Sequence, residues 1–592
     1  MPGLSFSSRN LAHISLTLVG LMWVFPFLYP SHAYPLTTFY QEWSAVALGL
    51  FASLWLLVPS SKREADVPQI IILPMGLTLI ALLHLMQGKL AYPGQAQLLA
   101  EYFLWCALLM LLGFRLRQHF GLPHLLVGLA GFALLGAELN ALFGIFQHYH
   151  LHTVFDRVVT SKISVAVYGN LAQPNHYANQ LALGLISLGL LGSTRKLPSW
   201  FTVLLALPLL FVMVLSGSRS SWLYLGALPL LALPYRHRSP ELRWLWRYSV
   251  LVLAGFALMH GVVQLPWLVT HEGITSFSRL YQESGGNSIR LFLWREALQI
   301  WADYPVFGAG FSQFAWQHFI RLPDLGNPAV NSLYNNAHNL PMQLAAETGL
   351  VGLLLVLGSL LTWLLRVRGN PASPSMWWGY GICAVLGLHS LLEYPLWYAY
   401  FLGIAAFVLG ALEPQGYRLA LPRVGQIVVA GLLLFGLSAS ALLLRNYREL
   451  EALTTLHAAS LDDQTYVKRE VAGLNALAGQ PELRAYAELY LNPMYQVNED
   501  HVDFKHPLNQ RVMHAFPIGQ VVYREVLFLA ITGRMQEAEV MLERAIWSYP
   551  AEFAATRDTL EAMALKDPAR YAALLKFALQ KFEEHQRAVS AG

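Results

Sequence analysis

Roughly thirteen stretches of this chain are apolar for about 20 residues each, the length a helix needs to cross the hydrocarbon core of a bilayer. They centre near Leu18, Leu50, Leu79, Leu108, Leu134, Leu185, Leu207, Leu228, Val252, Leu354, Val385, Ala405 and Leu433. With no water to bond to in lipid, the backbone of such a stretch satisfies itself as a helix. The expected fold is therefore all-α: a polytopic membrane protein of about 13 transmembrane helices. Composition agrees, because a soluble chain of 592 residues could not hide 55% hydrophobic residues behind 12% charged ones. The net charge of +4 is too small to argue for nucleic acid. Cys106 and Cys383 both lie inside apolar segments, which excludes a disulfide framework and leaves no cysteine metal site.

The linkers give the orientation. One set carries Lys62 and Arg63, Arg115 and Arg117, Arg195 and Lys196, then Arg236, Arg238, Arg243 and Arg247. It continues with Arg366 and Arg368, and with Arg418 and Arg423; the alternate short loops hold little beyond Lys89 and Arg219. The positive-inside rule places the first set in the cytoplasm with Arg9 and the N-terminus, and an odd number of spans places the C-terminal segment outside. Ser31-His32-Ala33 resembles a cleavage site, but the run from Leu11 to Tyr29 is long enough to span and reads as an uncleaved first helix.

A membrane domain over 1–444 is thus expected, with two long outer loops at about 148–175 and 266–340. The second loop has a helical pattern at Leu291, Trp294, Ala297, Leu298 and Trp301, and a loop of that length is usually functional. Residues 445–592 read as a separate outer helical domain. Within it, Val521 to Pro550 resembles one tetratricopeptide unit, with small residues at Ala538 and Ala545, although a solenoid needs about three copies.

Polar motifs gather on the outer side. His338, in Asn335-Asn336-Ala337-His338-Asn339-Leu340-Pro341, sits where the long loop re-enters the membrane. A neutral imidazole there accepts a hydroxyl proton, or simply bonds to a helix end. Arg219, in Ser216-Gly217-Ser218-Arg219-Ser220-Ser221, and Arg290, four residues before Trp294, present planar forks suited to phosphate. The ordinary alternative for both is a salt bridge, yet acidic partners on that side are few: Glu283, Glu296, Asp303 and Asp324. Gln173-Pro174-Asn175-His176-Tyr177 offers amides to a sugar or pyrophosphate, or caps a helix through Asn170 or Asn175, with Pro174 placed to open it. Glu393-Tyr394-Pro395 breaks two spans at an interface where aromatic residues ordinarily form a belt. His148, His150 and His152 alternate, but no cysteines or acidic cluster accompany them, so no metal is expected. Trp377-Trp378-Gly379-Tyr380-Gly381 lacks the aspartate of the N-linked oligosaccharyltransferase signature and falls on the wrong side.

Taken in order, GNLAQPNHYANQLALG, SGSRSSWLYLG, Arg290-x-x-x-Trp294 with Pro305-x-Phe307-Gly308-x-Gly310, NAHNLPMQLAAETGLVG and HSLLEYPLWYAYFLG resemble the O-antigen ligase/polymerase superfamily. Within it the chain is most similar to the bacterial O-oligosaccharyltransferases that glycosylate pilins and other exported proteins. The resemblance covers about Gly169 to Gly403; before Gly169 only the hydropathy agrees. It implies catalytic roles for His338, Tyr394 and Gln173, and pyrophosphate or glycan binding by Arg219, Arg290, Asn175, Asn339 and Glu393. It further implies an undecaprenyl-pyrophosphate-linked oligosaccharide as donor, an exported acceptor protein such as a pilin, and no cofactor. The bacterial inner membrane would house the enzyme, with its active site and C-terminal domain in the periplasm. Transfer to lipid A-core, as by a ligase, or to another lipid-linked glycan, as by a polymerase, would use the same residues. A transporter would instead show inverted repeats and polar groups at mid-membrane, and neither is found.

Overall fold

Each of the thirteen apolar centres lies inside a helix of the computed structural model, which describes residues 8–58, 65–266, 268, 289–327, 330–419, 422–457 and 464–591. Among the described residues seven helices are long and apolar enough to cross a membrane: Arg9–Leu28, Gln69–Met86, Pro93–Phe120, Leu122–His148, Pro240–Val262, Leu340–Val367 and Arg423–Thr454. Ser199–Leu215 and Ala399–Leu412 are shorter apolar helices. The chain is a multi-pass membrane protein. Some expected spans are short for local reasons; the helix centred near Leu228 covers only Ser220–Ala232, 13 residues, and passes into a 3-10 turn that contains Pro234. Among the described residues the only strands are Ala65–Val67 and Tyr417–Leu419, an antiparallel pair with Asp66 opposite Arg418. Lys62, Arg63 and Glu283 lie outside the described residues.

The chain divides into two compact units. The first comprises 1–76, 101–286 and 355–442. Its core is a continuous apolar cluster in which Trp23 stacks on Trp378 at 5.6 Å. Indole N–H groups buried there need acceptors. Trp378 Nε1 donates to Ser187 Oγ at 3.0 Å and Trp377 Nε1 to the Leu228 carbonyl at 3.3 Å. The Trp-Trp run is therefore packing.

The second unit comprises 77–100, 287–354 and 443–592, so the C-terminal segment does not form a body alone. Tyr92 Oη donates to Glu488 at 2.9 Å, and Gln97 Nε2 to Glu482 at 2.6 Å. Phe319, on the helix Phe314–Leu325, enters the core formed by Val512, Val526, Leu542 and Leu560. The repeat-like segment is a helix pair, Gly519–Ile531 and Met535–Ser548, with Ala538 and Ala545 fully buried.

The helix Ile289–Asp303 buries a face other than the one its leucines and tryptophans suggest. Leu293, Glu296, Ala297 and Ile300 point inward, whereas Leu291 and Leu298 are exposed. An acidic residue inside the stripe misleads a hydrophobicity reading; here it is tolerated because His318 pairs with it.

Candidate functional site

In the first unit the Gln-Pro-Asn-His motif opens a helix. Pro174 is the first residue of Pro174–Ser193, and Gln173 caps it, its Oε1 accepting from the His176 N–H at 2.6 Å. Neither Asn170 nor Asn175 is the cap. Asn170 instead secures the loop before it: fully buried, it accepts from the Thr160 N–H at 2.9 Å and donates to the carbonyls of Leu28 and Val158 at 2.7 Å each. The turn passes through Gly169 at φ 55, where a Cβ would stand 2.1 Å from Asn140 Oδ1.

Capping by Gln173 leaves Asn175 on the first turn with both ends of its amide engaged. Its Nδ2 donates to Glu393 Oε1 at 3.0 Å, and its Oδ1 accepts from Ser218 Oγ at 2.7 Å. One amide thus joins three motifs: Gln-Pro-Asn-His, the Ser-Gly-Ser-Arg-Ser-Ser turn and Glu-Tyr-Pro. That turn reverses the chain between helices Ser199–Leu215 and Ser220–Ala232 and presents Arg219 as the residue before the second. Tyr394 precedes the 3-10 turn Pro395–Trp397, and its ring stacks on Tyr398 at 6.0 Å. Tyr398 in turn meets His176 edge-on at 4.7 Å. Burial pushes the Tyr398 hydroxyl well above its ordinary pKa, with Tyr394 and Glu42 adding to the effect. This corner therefore offers amide, guanidinium and phenol donors beside the buried Glu393 carboxylate.

In the second unit, His338 sits in a turn held from three sides. Its backbone is left-handed, φ 49, a strained setting for a side chain with a Cβ. Asn336 Oδ1 accepts from the His338 N–H at 3.0 Å, and Gln343 Oε1 from the Ala337 N–H at 2.7 Å. Trp294 Nε1 donates to the Ala337 carbonyl at 3.0 Å. Asn339 starts the following helix, its Oδ1 accepting from the Met342 N–H at 3.1 Å. The Trp294 bond ties the turn to the helix that begins with Ile289 and Arg290. The surroundings therefore over-determine a strained backbone at His338.

The Pro305–Gly310 stretch supports the same region. The helix Leu340–Val367 breaks at Gly349, φ 63, and the stretch fills the gap. The N–H groups of Leu350 and Val351 donate to the carbonyls of Pro305 and Val306, while those of Ala309 and Gly310 donate to Ala346 and Glu347. Gly308, φ 67, is required because a Cβ would lie 2.2 Å from the Glu347 backbone. Lys89 Nζ donates to the Gly308 carbonyl at 2.6 Å, and burial pushes its pKa down.

The first unit thus holds Gln173, Asn175, Arg219, Glu393 and Tyr394, and the second holds Arg290, His338 and Asn339. Three further polar features were not assigned from the sequence: Ser218, the Asn179–His389 pair and the Glu296–His318 pair. Ser218 was hidden by the arginine after it. Asn179 Nδ2 lies 2.7 Å from His389 Nδ1, a buried pair inside apolar helices, where polar residues are functional candidates. Glu296 and His318 form a buried pair at 2.8 Å, with His318 edge-on to Tyr334 at 5.5 Å, four residues before His338. Among the described residues no three His, Cys, Asp or Glu side chains gather to hold a metal ion.

A family model described as O-Antigen ligase matches residues 201–357, and one described as Virulence factor membrane-bound polymerase, C-terminal, matches 377–562. The General O-oligosaccharyltransferase of Acinetobacter baylyi is 26% identical over 442 residues, 73% of this chain and 75% of that protein. The chain is a relative of the O-oligosaccharyltransferases. The ComP-specific O-oligosaccharyltransferase of the same organism is 23% identical over 398 residues, 66% of this chain and 70% of that one. The matches to these oligosaccharyltransferases span most of both proteins, so the likeness is not confined to the short motifs.

Proposed function

We propose that this chain transfers an oligosaccharide en bloc from undecaprenyl pyrophosphate to Ser or Thr hydroxyls of exported proteins such as pilins. The reaction takes place at the periplasmic face of the bacterial inner membrane, where residues 445–592 also lie. One observation carries the reading: the match to a general O-oligosaccharyltransferase runs over 73% of this chain. In this mechanism His338 takes the proton of the acceptor hydroxyl as its oxygen bonds to the anomeric carbon. The bond from that carbon to the pyrophosphate breaks, and the electron pair leaves with the lipid pyrophosphate. Arg219 and Arg290 offset the growing charge, a role that replaces a divalent ion and makes the reaction metal-independent. Gln173 and Tyr394 orient the glycan, while Asn175 and Glu393 hold the corner that carries them.

The test is the intact mass of a candidate type IV pilin in a heterologous bacterium that makes a lipid-linked glycan, has lost its own O-antigen ligase and expresses this protein. A glycan-sized increase establishes the protein acceptor. The O-Antigen ligase match over 201–357 favours a second reading, transfer to lipid A-core. Glycan on lipid A-core with an unmodified pilin establishes that one instead.

A further inference from the structure

Several arginines of the positively charged loops of the first unit are already held by protein. Arg117 donates to the carbonyls of Ala411 and Leu412 and to Asn370 Oδ1, the last at 2.8 Å. Arg366 lies 3.3 Å from Glu413, which also accepts from the N–H groups of Gln69 and Ile70. Arg238 and Arg368 differ. Both are exposed, and among the described residues neither guanidinium makes a hydrogen bond or ion pair; Arg238 only stacks over the Tyr235 ring at 5.1 Å.

These two arginines line one cavity of about 130 Å³, between the end of Ser220–Ala232, the start of Pro240–Val262 and the turn from Leu340–Val367 into Pro374–Ser390. Among the described residues no carboxylate lines it. Ser373 does, and it also caps the helix Pro374–Ser390, so the positive end of a helix dipole adds to the two cations. Leu242, Met376 and Trp377 supply an apolar wall. On the same helix ends Leu230, Leu233, Leu364 and Leu365 are exposed.

We infer that this cavity binds an anionic glycerophospholipid, its phosphodiester taken by Arg238 and Arg368 and its acyl chains lying along the exposed leucines. Planar guanidinium forks suit a phosphodiester, and basic cavities between membrane helices suit anionic headgroups. The apolar wall and flanking leucines distinguish a lipid from free phosphate, which has nothing to place there. The site is separate from the residues assigned to glycan transfer.

The test is native mass spectrometry of the purified full-length protein with phosphatidylglycerol, phosphatidylethanolamine and inorganic phosphate. Phosphatidylglycerol is expected to bind in preference to phosphatidylethanolamine. Arg238→Gln and Arg368→Gln each weaken it about fivefold, and together about twenty-fivefold. Ala372→Trp fills the cavity with both arginines intact and produces a similar loss. Equal binding of the two lipids, or of phosphatidylglycerol to wild type and the double arginine variant, overturns the proposal. So does displacement of the lipid by millimolar phosphate, which identifies a free-anion site. Undiminished binding to Ala372→Trp overturns the cavity and leaves only surface charge.

Discussion

Asn175 donates its side-chain N–H to Glu393 at 3.0 Å across 218 positions of sequence, and the same amide accepts from Ser218. An amide used at both ends fixes the spacing of three chain segments. Replacing it disturbs them together while leaving the surrounding apolar packing intact.

Asn175→Ala removes the hydrogen bond to the buried Glu393 carboxylate and the one from Ser218 together. Losing hydrogen bonds to such buried groups costs about 1–3 kcal/mol, so glycan transfer is expected to fall by about fivefold to about a hundredfold. Ser218→Ala removes one bond only and costs less. Transfer rates at matched protein levels check the order.

Arg219→Lys keeps the charge but loses the planar fork. If the arginine takes a pyrophosphate through two parallel bonds, lysine does not rescue it. Arg219→Ala is expected to cost about 10²–10³-fold in turnover, and Arg219→Lys to remain closer to that variant than to wild type. The same series at Arg290 gives the same pattern. Steady-state kinetics with a lipid-linked donor measure both.

Glu296 and His318 are buried and mutually paired at 2.8 Å. Removing one partner leaves a buried group uncompensated, at about 3–5 kcal/mol, whereas replacing both with apolar residues is far milder. Thermal melting of Glu296→Met, His318→Leu and the double variant should place the double nearest wild type. Equal additive losses from the two single changes would show that the pair is not a coupled unit.

Glu488 gives the second unit an acid limit. Burial alone raises its pKa, but hydrogen bonds from Arg511, Arg484 and Tyr92 outweigh burial and hold it below the ordinary range. A depressed folded value means that its contribution to stability is full above the unfolded carboxylate pKa and is lost as pH falls through the folded one. Melting temperature should therefore drop on that acid limb in wild type, and Glu488→Gln should be lower at neutral pH and flatter below it.

The helices were legible because lipid imposes one rule on every span: each apolar centre from Leu18 to Leu433 became helical. Individual candidate residues stood out in the sequence where a turn or cap put an unusual residue into an apolar context, as at Gln173, Arg219 and His338. Their partners did not. Nothing local ties Asn175 to Glu393 or Ser218, because the bond exists only after distant helices pack. Glu296 was read as a possible salt-bridge partner for the arginines, and instead a histidine from the next helix is its partner.

The most direct measurement of the central claim is the initial rate of glycan transfer from a lipid-pyrophosphate donor to an acceptor pilin, with purified wild type and His338→Ala at equal folded concentration. General-base catalysis by His338 predicts a loss of about 10²–10⁴-fold with folding unchanged. A His338→Ala rate within a few fold of wild type would contradict it.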